Sequence, residues 1–314
     1  MKLIFWFGGL LAALVLIEVV LRFGFGFGRP LLYVADETMG YRLAPNQKVR
    51  RFGNRILINE HSMRADAIAL TPRKNTLRLF LLGDSLANGN WWTDQSDILS
   101  TEIAKALQPK LPPQYDKVEA LNASANSWGP RNELAYLDRY GTFDSHVLVL
   151  LLNTDDLFGT QPTSLQVGRD RNYPNQNYPL ATAEILSRLF KKDSLIPGLK
   201  EIQGEGGDRV GKNLDAIDSI YQHATRSNGK FILVLSPLKR ELSGPRDYEL
   251  VARQRLQEWA SKNDVIYLDL FSTFVAEETD KNTLYRDHIH LSPLGNQRVS
   301  QLIADAIAPV LIAP

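Results

Sequence analysis

Ser85, Asp287 and His290 are the residues whose types and spacing could do chemistry together. Ser85 stands in Gly83-Asp84-Ser85-Leu86, directly after the apolar residues Leu77, Leu79, Phe80, Leu81 and Leu82. A short apolar run stopped by a turn signal reads as a buried strand, parallel and covered on both faces. Gly83 is expected to let the chain bend sharply there. A residue just beyond the carboxyl end of such a strand stands where open α/β sheets bind ligands. A serine in that place is a nucleophile if a base reaches it, and otherwise a helix cap. Asp287 and His290 are three apart, a spacing that puts both on one side of a turn or helix. The aspartate can then fix the imidazole tautomer and leave the other ring nitrogen free as a base. General-base help of this kind is worth roughly 10²–10⁴ in rate. His288 and His290 also spell a metal pair, but no third ligand has a matching spacing. His288 therefore reads as a surface turn residue, and neither metal nor cofactor is expected.

These residues need a sheet to gather them. Strands are expected at 77–83, 117–122, 145–152, 230–236 and 264–270, and helices near 95–108, 131–140, 209–228, 246–262 and 296–310. Asp94, Pro130 and Pro293 supply helix start signals. This alternation predicts a five-stranded parallel sheet with helices on both faces, a three-layer α/β/α arrangement of flavodoxin-like order. Ser85 and the Asp287–His290 pair then meet at the carboxyl edge of one sheet. Two further strand ends, Asn122–Pro130 and Leu152–Asp156, reach the same edge and are candidates for oxyanion donors. Their other reading is polar loops. Between the third strand and the next helix runs a proline-, asparagine- and tyrosine-bearing insert at about 157–205, with a short helical run from Ala183 to Phe190. Inserts of that length are lids, binding loops or disorder, and the aromatics argue against disorder.

The 314 residues suffice for one large α/β domain or two small ones. A formal net charge of +1 gives no reason to expect a nucleic-acid partner. The chain has no cysteine, which excludes disulfides, thiolate metal sites and a cysteine nucleophile. Leu3 to Leu21 is almost wholly apolar, with Glu18 its one acid. As a helix it covers about 28 Å, close to the hydrocarbon thickness of a bilayer. The Phe-Gly run after Arg22 offers no cleavage site, so an uncleaved anchor is expected over a removed signal peptide. Glu18 can reach the interface and is given no role. The expected organisation is an anchor at 1–22, a linker and lead-in with a short hairpin at 23–70, and a catalytic domain at 71–314. Asn59 and Arg64 in the lead-in read as turn and surface residues.

Four blocks together resemble the SGNH/GDSL hydrolase superfamily over roughly 77–310. The first is Gly83-Asp84-Ser85-Leu86 with Asn88-Gly89, and the last is Asp287-x-x-His290 with Leu291-Ser292-Pro293-x-Gly295. The lead-in motifs Gly40-Tyr41-Arg42-x-x-Pro45-Asn46 and Ile58-Asn59-x-x-x-Met63-Arg64 resemble membrane-anchored bacterial members. The resemblance implies Ser85 as nucleophile, His290 as base, Asp287 as its orienter and the Ser85 N–H as an oxyanion donor. The middle blocks depart from the pattern. Ser127 falls where the family has its oxyanion glycine, and Asp155-Asp156 falls where it has Asn-Asp. The backbone N–H of Ser127 remains a donor if its φ suits a non-glycine residue. A carboxylate at Asp155 would repel an oxyanion. Asn153, two residues earlier, points to the same side of the strand and is the expected substitute. Asn88, Asn126 and Trp128 are expected to contact substrate.

The resulting expectation is a membrane-anchored serine esterase or acyltransferase with its catalytic domain outside the cytoplasm. Its substrate would be an ester, an O-acyl group of a carbohydrate or acylated polysaccharide. The altered middle blocks motivate a second reading, a non-catalytic carbohydrate-binding or scaffold protein on the same frame. A flavodoxin-like phosphate binder is a third, but the loop lacks a glycine-rich nest and Asp84 would repel phosphate.

Overall fold

The computed structural model describes residues 2–190, 195–226, 228–277 and 280–312. It begins with helix α1, Lys2–Val19, which runs into one π-helical stretch at Val20–Gly24. The apolar span Phe5–Gly24 is 20 residues long and none of it is buried. Glu18 does not hang free as the sequence suggested. Its carboxylate accepts the Ala181 and Thr182 backbone N–H groups at 2.7 and 3.0 Å and pairs with Arg22 at 2.9 Å.

Two antiparallel hairpins follow where one was expected. Strand β1, Tyr33–Asp36, pairs with β2, Gly40–Leu43; β3, Gln47–Arg51, pairs with β4, Asn54–Ile58. The second turns at Phe52 and Gly53, both at positive φ. Tyr33, Met39, Leu43 and Ile56 from these hairpins are buried in the main core.

The central sheet holds β5 (Thr76–Gly83), β6 (Lys117–Ser124), β7 (Val147–Asn153), β8 (Lys230–Ser236) and β9 (Ile266–Asp269). Their order is β6-β5-β7-β8-β9 and every pairing is parallel, as expected. Every residue of β5 and β7 is buried, as near-continuous apolar runs require when helices cover both faces. Successive side chains of β5 alternate between two cores. Phe80 and Leu82 pack with α4 (Pro130–Tyr140), α7 (Arg209–Thr225) and α8 (Asp247–Lys262). Leu77, Leu79 and Leu81 pack with α3 (Leu99–Leu107), α9 (Leu270–Ala276) and α10 (Pro293–Val310). The remaining helices are short: α2 (Ser85–Asn88) after β5, and α5 (Ala181–Phe190) and α6 (Leu199–Gln203) in the insert.

The register aligns the strand ends that matter. Gly83 lies opposite Ser124 on one side and Leu151 on the other, and Asn153 lies opposite Ser236. Strand order reverses at β5, so Ser85 stands at the crevice where such sheets bind ligands. Gly83 is required for a reason other than bending. Its φ is not positive, but a Cβ there would meet the Leu151 carbonyl oxygen at 2.6 Å. Asp94 does not cap α3. It receives the Arg55 guanidinium at 2.7 Å and the Ser96 N–H at 3.0 Å, and α3 begins five residues later.

Candidate active site

Asp84 builds the turn that presents Ser85. Its Oδ1 accepts the Leu86 N–H at 2.8 Å, which caps α2, and Gly89 closes that helix at φ 75° with its N–H on the Ser85 carbonyl. Ser85 thus occupies the first helical position, where a backbone N–H has no carbonyl partner inside the helix.

The facing loop is folded by its own aspartate. Asp287 Oδ1 accepts the Ile289 and His290 N–H groups at 2.9 and 2.8 Å, while its Oδ2 receives the His290 ring at Nδ1, 2.8 Å away. Burial would raise the Asp287 carboxyl. The His290 and Ile289 N–H groups and the His290 ring outweigh burial and hold it below its ordinary range. Ser292 then caps α10 through the Gly295 N–H, with Pro293 at the first helical position. The free ring nitrogen of His290, Nε2, stands 2.9 Å from Ser85 Oγ. Three residues separated by up to 205 positions therefore form one line of hydrogen bonds. The His288 side chain is 85 % exposed and outside that line, and no metal-competent cluster occurs among the described residues.

The oxyanion candidates separate. Ser127 sits at φ 57°, the left-handed conformation that explains why a glycine suits this position. Among the described residues its backbone N–H meets no acceptor, and its Oγ receives the Tyr173 hydroxyl at 2.9 Å. Asn153 is not available. One side-chain N–H goes to Asp84 Oδ2 at 3.0 Å and the other to Asp156 Oδ2 at 2.8 Å. Its Oδ1 accepts the Asp155 N–H at 2.8 Å. Asp155 is exposed and lines an adjoining groove with Ser127 and Gly129, not the cleft that holds Ser85 and His290. Partial desolvation by the surrounding protein lifts the Asp155 carboxyl against the pull of Arg240.

Near Ser85 lie three buried carboxyls, Asp84, Asp156 and Glu133. Burial raises all three, and the charge of Asp84 pushes Asp156 and Glu133 further. Both Glu133 oxygens lack a partner.

Asn88 and Trp128, expected to contact substrate, do not line the cleft that holds Ser85 and His290. Asn88 is fully buried and its Oδ1 accepts the Asn90 N–H. Trp128 is 1 % exposed, with its indole N–H on the Tyr41 carbonyl. Asn126 does line the cleft, with its Oδ1 unpartnered.

The sequence reading passed over three contributors. Trp92 packs edge-on against the His290 ring, centroids 5.0 Å apart, and the Arg286 guanidinium lies 4.9 Å from the centre of the Trp92 ring. Its only local signal was the Trp91-Trp92 pair. Arg64, expected at the surface, is completely buried and donates to the carbonyls of Asn88, Asn90 and Thr93, fixing the loop that carries both tryptophans. Tyr173 of the insert reaches the cleft beside Ser127. The cleft measures about 450 Å³. Its walls include Trp91, Trp92, Phe52, Tyr173 and the arginines 51, 171 and 188.

The GDSL-like lipase/acylhydrolase family model matches residues 81–298, and the chain belongs to that family. It is by that membership an ester-bond hydrolase. No curated protein matches it in sequence. Among solved structures it is similar to the lipase/acylhydrolase of Enterococcus faecalis, at 13 % identity and TM-score 0.45, over 74 % of this chain and 96 % of that one. It is also similar to the acetyl xylan esterase AlAXEase, at 14 % identity and TM-score 0.46, over 75 % of this chain and 100 % of that one. A catalytic mutant of Axe2, an acetylxylan esterase from Geobacillus stearothermophilus, has 12 % identity and TM-score 0.49, over 73 % of this chain and 93 % of that one.

Proposed function

We propose that Ser85, His290 and Asp287 form the triad of a serine esterase or acyltransferase working through an acyl-enzyme. The observation that carries this reading is the 2.9 Å approach of His290 Nε2 to Ser85 Oγ, with Asp287 on the other ring nitrogen. Ser85 Oγ attacks the ester carbonyl carbon as its proton passes to His290 Nε2. The C–O bond of the ester then breaks, and the departing alkoxide takes that proton. Water, or a second hydroxyl in the transfer reaction, then gives a proton to the same nitrogen as its oxygen bonds to the acyl carbon; the acyl–Oγ bond breaks, and His290 returns the proton to Ser85 Oγ. Asp287 stays ionised and holds the ring. The oxyanion faces the backbone N–H groups of Ser85 and Ser127. With Asn153 tied to two carboxyls, the hole has two donors instead of three; loss of one donor costs about 10²–10³ in kcat.

The acyl group is carried on a carbohydrate hydroxyl. Aromatic walls with asparagine and arginine side chains support this, since such walls offer flat apolar faces and hydrogen bonds together. The α1 helix anchors the enzyme in a membrane, with the catalytic domain on the non-cytoplasmic side. The length and apolarity of the span support the anchor.

The test is intact-mass spectrometry after exposure to a fluorophosphonate. One adduct is expected, lost in Ser85→Ala and in His290→Ala. No adduct on folded wild-type protein would overturn the triad and favour the reading as a binding protein.

A further inference from the structure

Helix α5 is built inside out for a helix on a water-facing surface. Its inward side carries Glu184, fully buried, which accepts the Gly28 N–H at 2.6 Å and pairs with Arg51 at 2.5 Å and Arg188 at 2.8 Å. Its outward side carries Leu186, Leu189 and Phe190, which are 53, 71 and 76 % exposed. These three stand at the three- and four-residue spacing of one helical face. An amphipathic helix on a soluble domain shows the opposite arrangement. Contiguous exposed apolar surface of this kind marks a contact that the isolated chain does not satisfy.

The position of α5 says what the contact is. Its first two residues, Ala181 and Thr182, are held by the Glu18 carboxylate, and Glu18 lies inside the apolar span Phe5–Gly24. Glu18 stands six residues before Gly24, about 9 Å short of the end of the span at 1.5 Å per residue. The start of α5 is therefore fixed within about 9 Å of the end of the span, within the depth to which interfacial helices reach. Phe23 beside it is 75 % exposed, and Leu195 just past α5 is 78 % exposed. Among the described residues, exposed apolar side chains thus stand on both the span and the part of the domain that Glu18 ties to it.

We propose that α5, with its outward face of Leu186, Leu189 and Phe190, lies in the headgroup layer of the bilayer that α1 crosses. The partner is a lipid surface, and α5 is an interfacial helix of the kind that buries one apolar face at the acyl boundary. Arg188 belongs to the same helix and lines the cleft, as does Phe27 just after the span. The cleft that holds Ser85 then opens beside the membrane. Glu18, Glu184 and Arg51 hold α5 and the segment after the span together. The proposal rests on α1 as an anchor and is independent of the catalytic reading.

The chain has no cysteine, so single labels can be placed on the full-length protein. Leu11→Cys, Leu186→Cys, Leu189→Cys and Gln254→Cys would each carry a nitroxide in vesicles of phosphatidylcholine and phosphatidylglycerol. Leu11 reports the span, and Gln254 is an exposed control on α8. Relaxation is compared with oxygen, which concentrates in lipid, and with a water-soluble nickel chelate. The expected result is that oxygen dominates at positions 11, 186 and 189 and the chelate at 254. Chelate dominance at 186 and 189 with oxygen dominance at 11 would overturn the proposal and leave the anchor intact. Chelate dominance at 11 as well would overturn both. Shielding from both agents at 186 and 189, with dipolar broadening, would mean that a second copy covers the face, and would also refute a lipid partner.

Discussion

Asn153→Ala separates what the strand-end spacing suggests from what the structure shows. A side chain on the substrate-facing side of a strand end reads as an oxyanion donor. Truncation of such a donor lowers kcat by about 10²–10³ and leaves the fold intact. The observed amide does different work. Both of its N–H groups are spent on buried carboxyls, at 3.0 Å to Asp84 and 2.8 Å to Asp156. Its carbonyl caps the short 3₁₀ turn that starts at Thr154. A hydrogen bond to a charged or shared-proton group is worth about 1.5–3 kcal/mol, and stranding its buried partner adds desolvation. Two such bonds place the cost of Asn153→Ala near 3–5 kcal/mol. At about 2–4 °C per kcal/mol for a domain of this size, the melting temperature should fall by roughly 10 °C. Differential scanning calorimetry reads this, with p-nitrophenyl acetate turnover below the melt as the companion assay. The expected outcome is a large loss of stability with a smaller loss of kcat at temperatures where the variant is folded. A hundredfold loss of kcat with an unchanged melting temperature would refute the structural role.

Two other perturbations follow from buried groups near the nucleophile. Arg64→Ala removes one guanidinium from three loop carbonyls and should cost about 3–5 kcal/mol in denaturant unfolding, partly recovered in Arg64→Lys; a cost below about 1 kcal/mol would refute the clamp. The raised carboxyls give the fold a pH dependence of definite sign. Below about pH 4, Asp84, Asp156 and Glu133 are protonated whether the chain is folded or not, and impose no penalty. As pH rises the unfolded chain releases those protons while the fold keeps them, so stability declines until the folded groups ionise. Asp156→Asn keeps an acceptor for Asn153 and removes one of the three titrations. The variant should lose less of its melting temperature than the wild type between pH 5 and 9; parallel curves would refute the raised carboxyl at Asp156.

Sequence reasoning succeeded where a partner is near in the chain or at the same sheet edge. The five strands are apolar runs ended by turn residues, and parallel pairing then brings Ser85 and His290 to one edge whatever their separation. Asp287 and His290 are three residues apart, and their bond is local. It failed where a partner competes from elsewhere. Asn153 to Asp156 is an Asn-x-x-Asp capping box, a signal present in the sequence that was outweighed by the strand-side reading. Asp84 as the second acceptor of Asn153 lies 69 positions away and left no local trace. Arg78 within β5 is fully buried, paired with Glu119 at 2.7 Å and donating to three loop carbonyls, partners that no local pattern shows. Arg51 and Glu184 meet across 133 positions, so neither composition nor spacing could show that α5 turns its charge inward.

Ser127 joins both cases. A serine where a glycine suits the turn is visible in the sequence, and it implies a left-handed residue at a cost of about 1–2 kcal/mol. What offsets that cost is not visible, because the Tyr173 hydroxyl arrives from an insert 46 positions away. The bond ties the insert to the turn at Ser127, which lines the cleft. A glycine at this position could keep the N–H and the conformation but would lose the hydroxyl that Tyr173 holds. The same substitution that looks like a defect in the oxyanion block is thus the point where the insert is fastened to the catalytic edge.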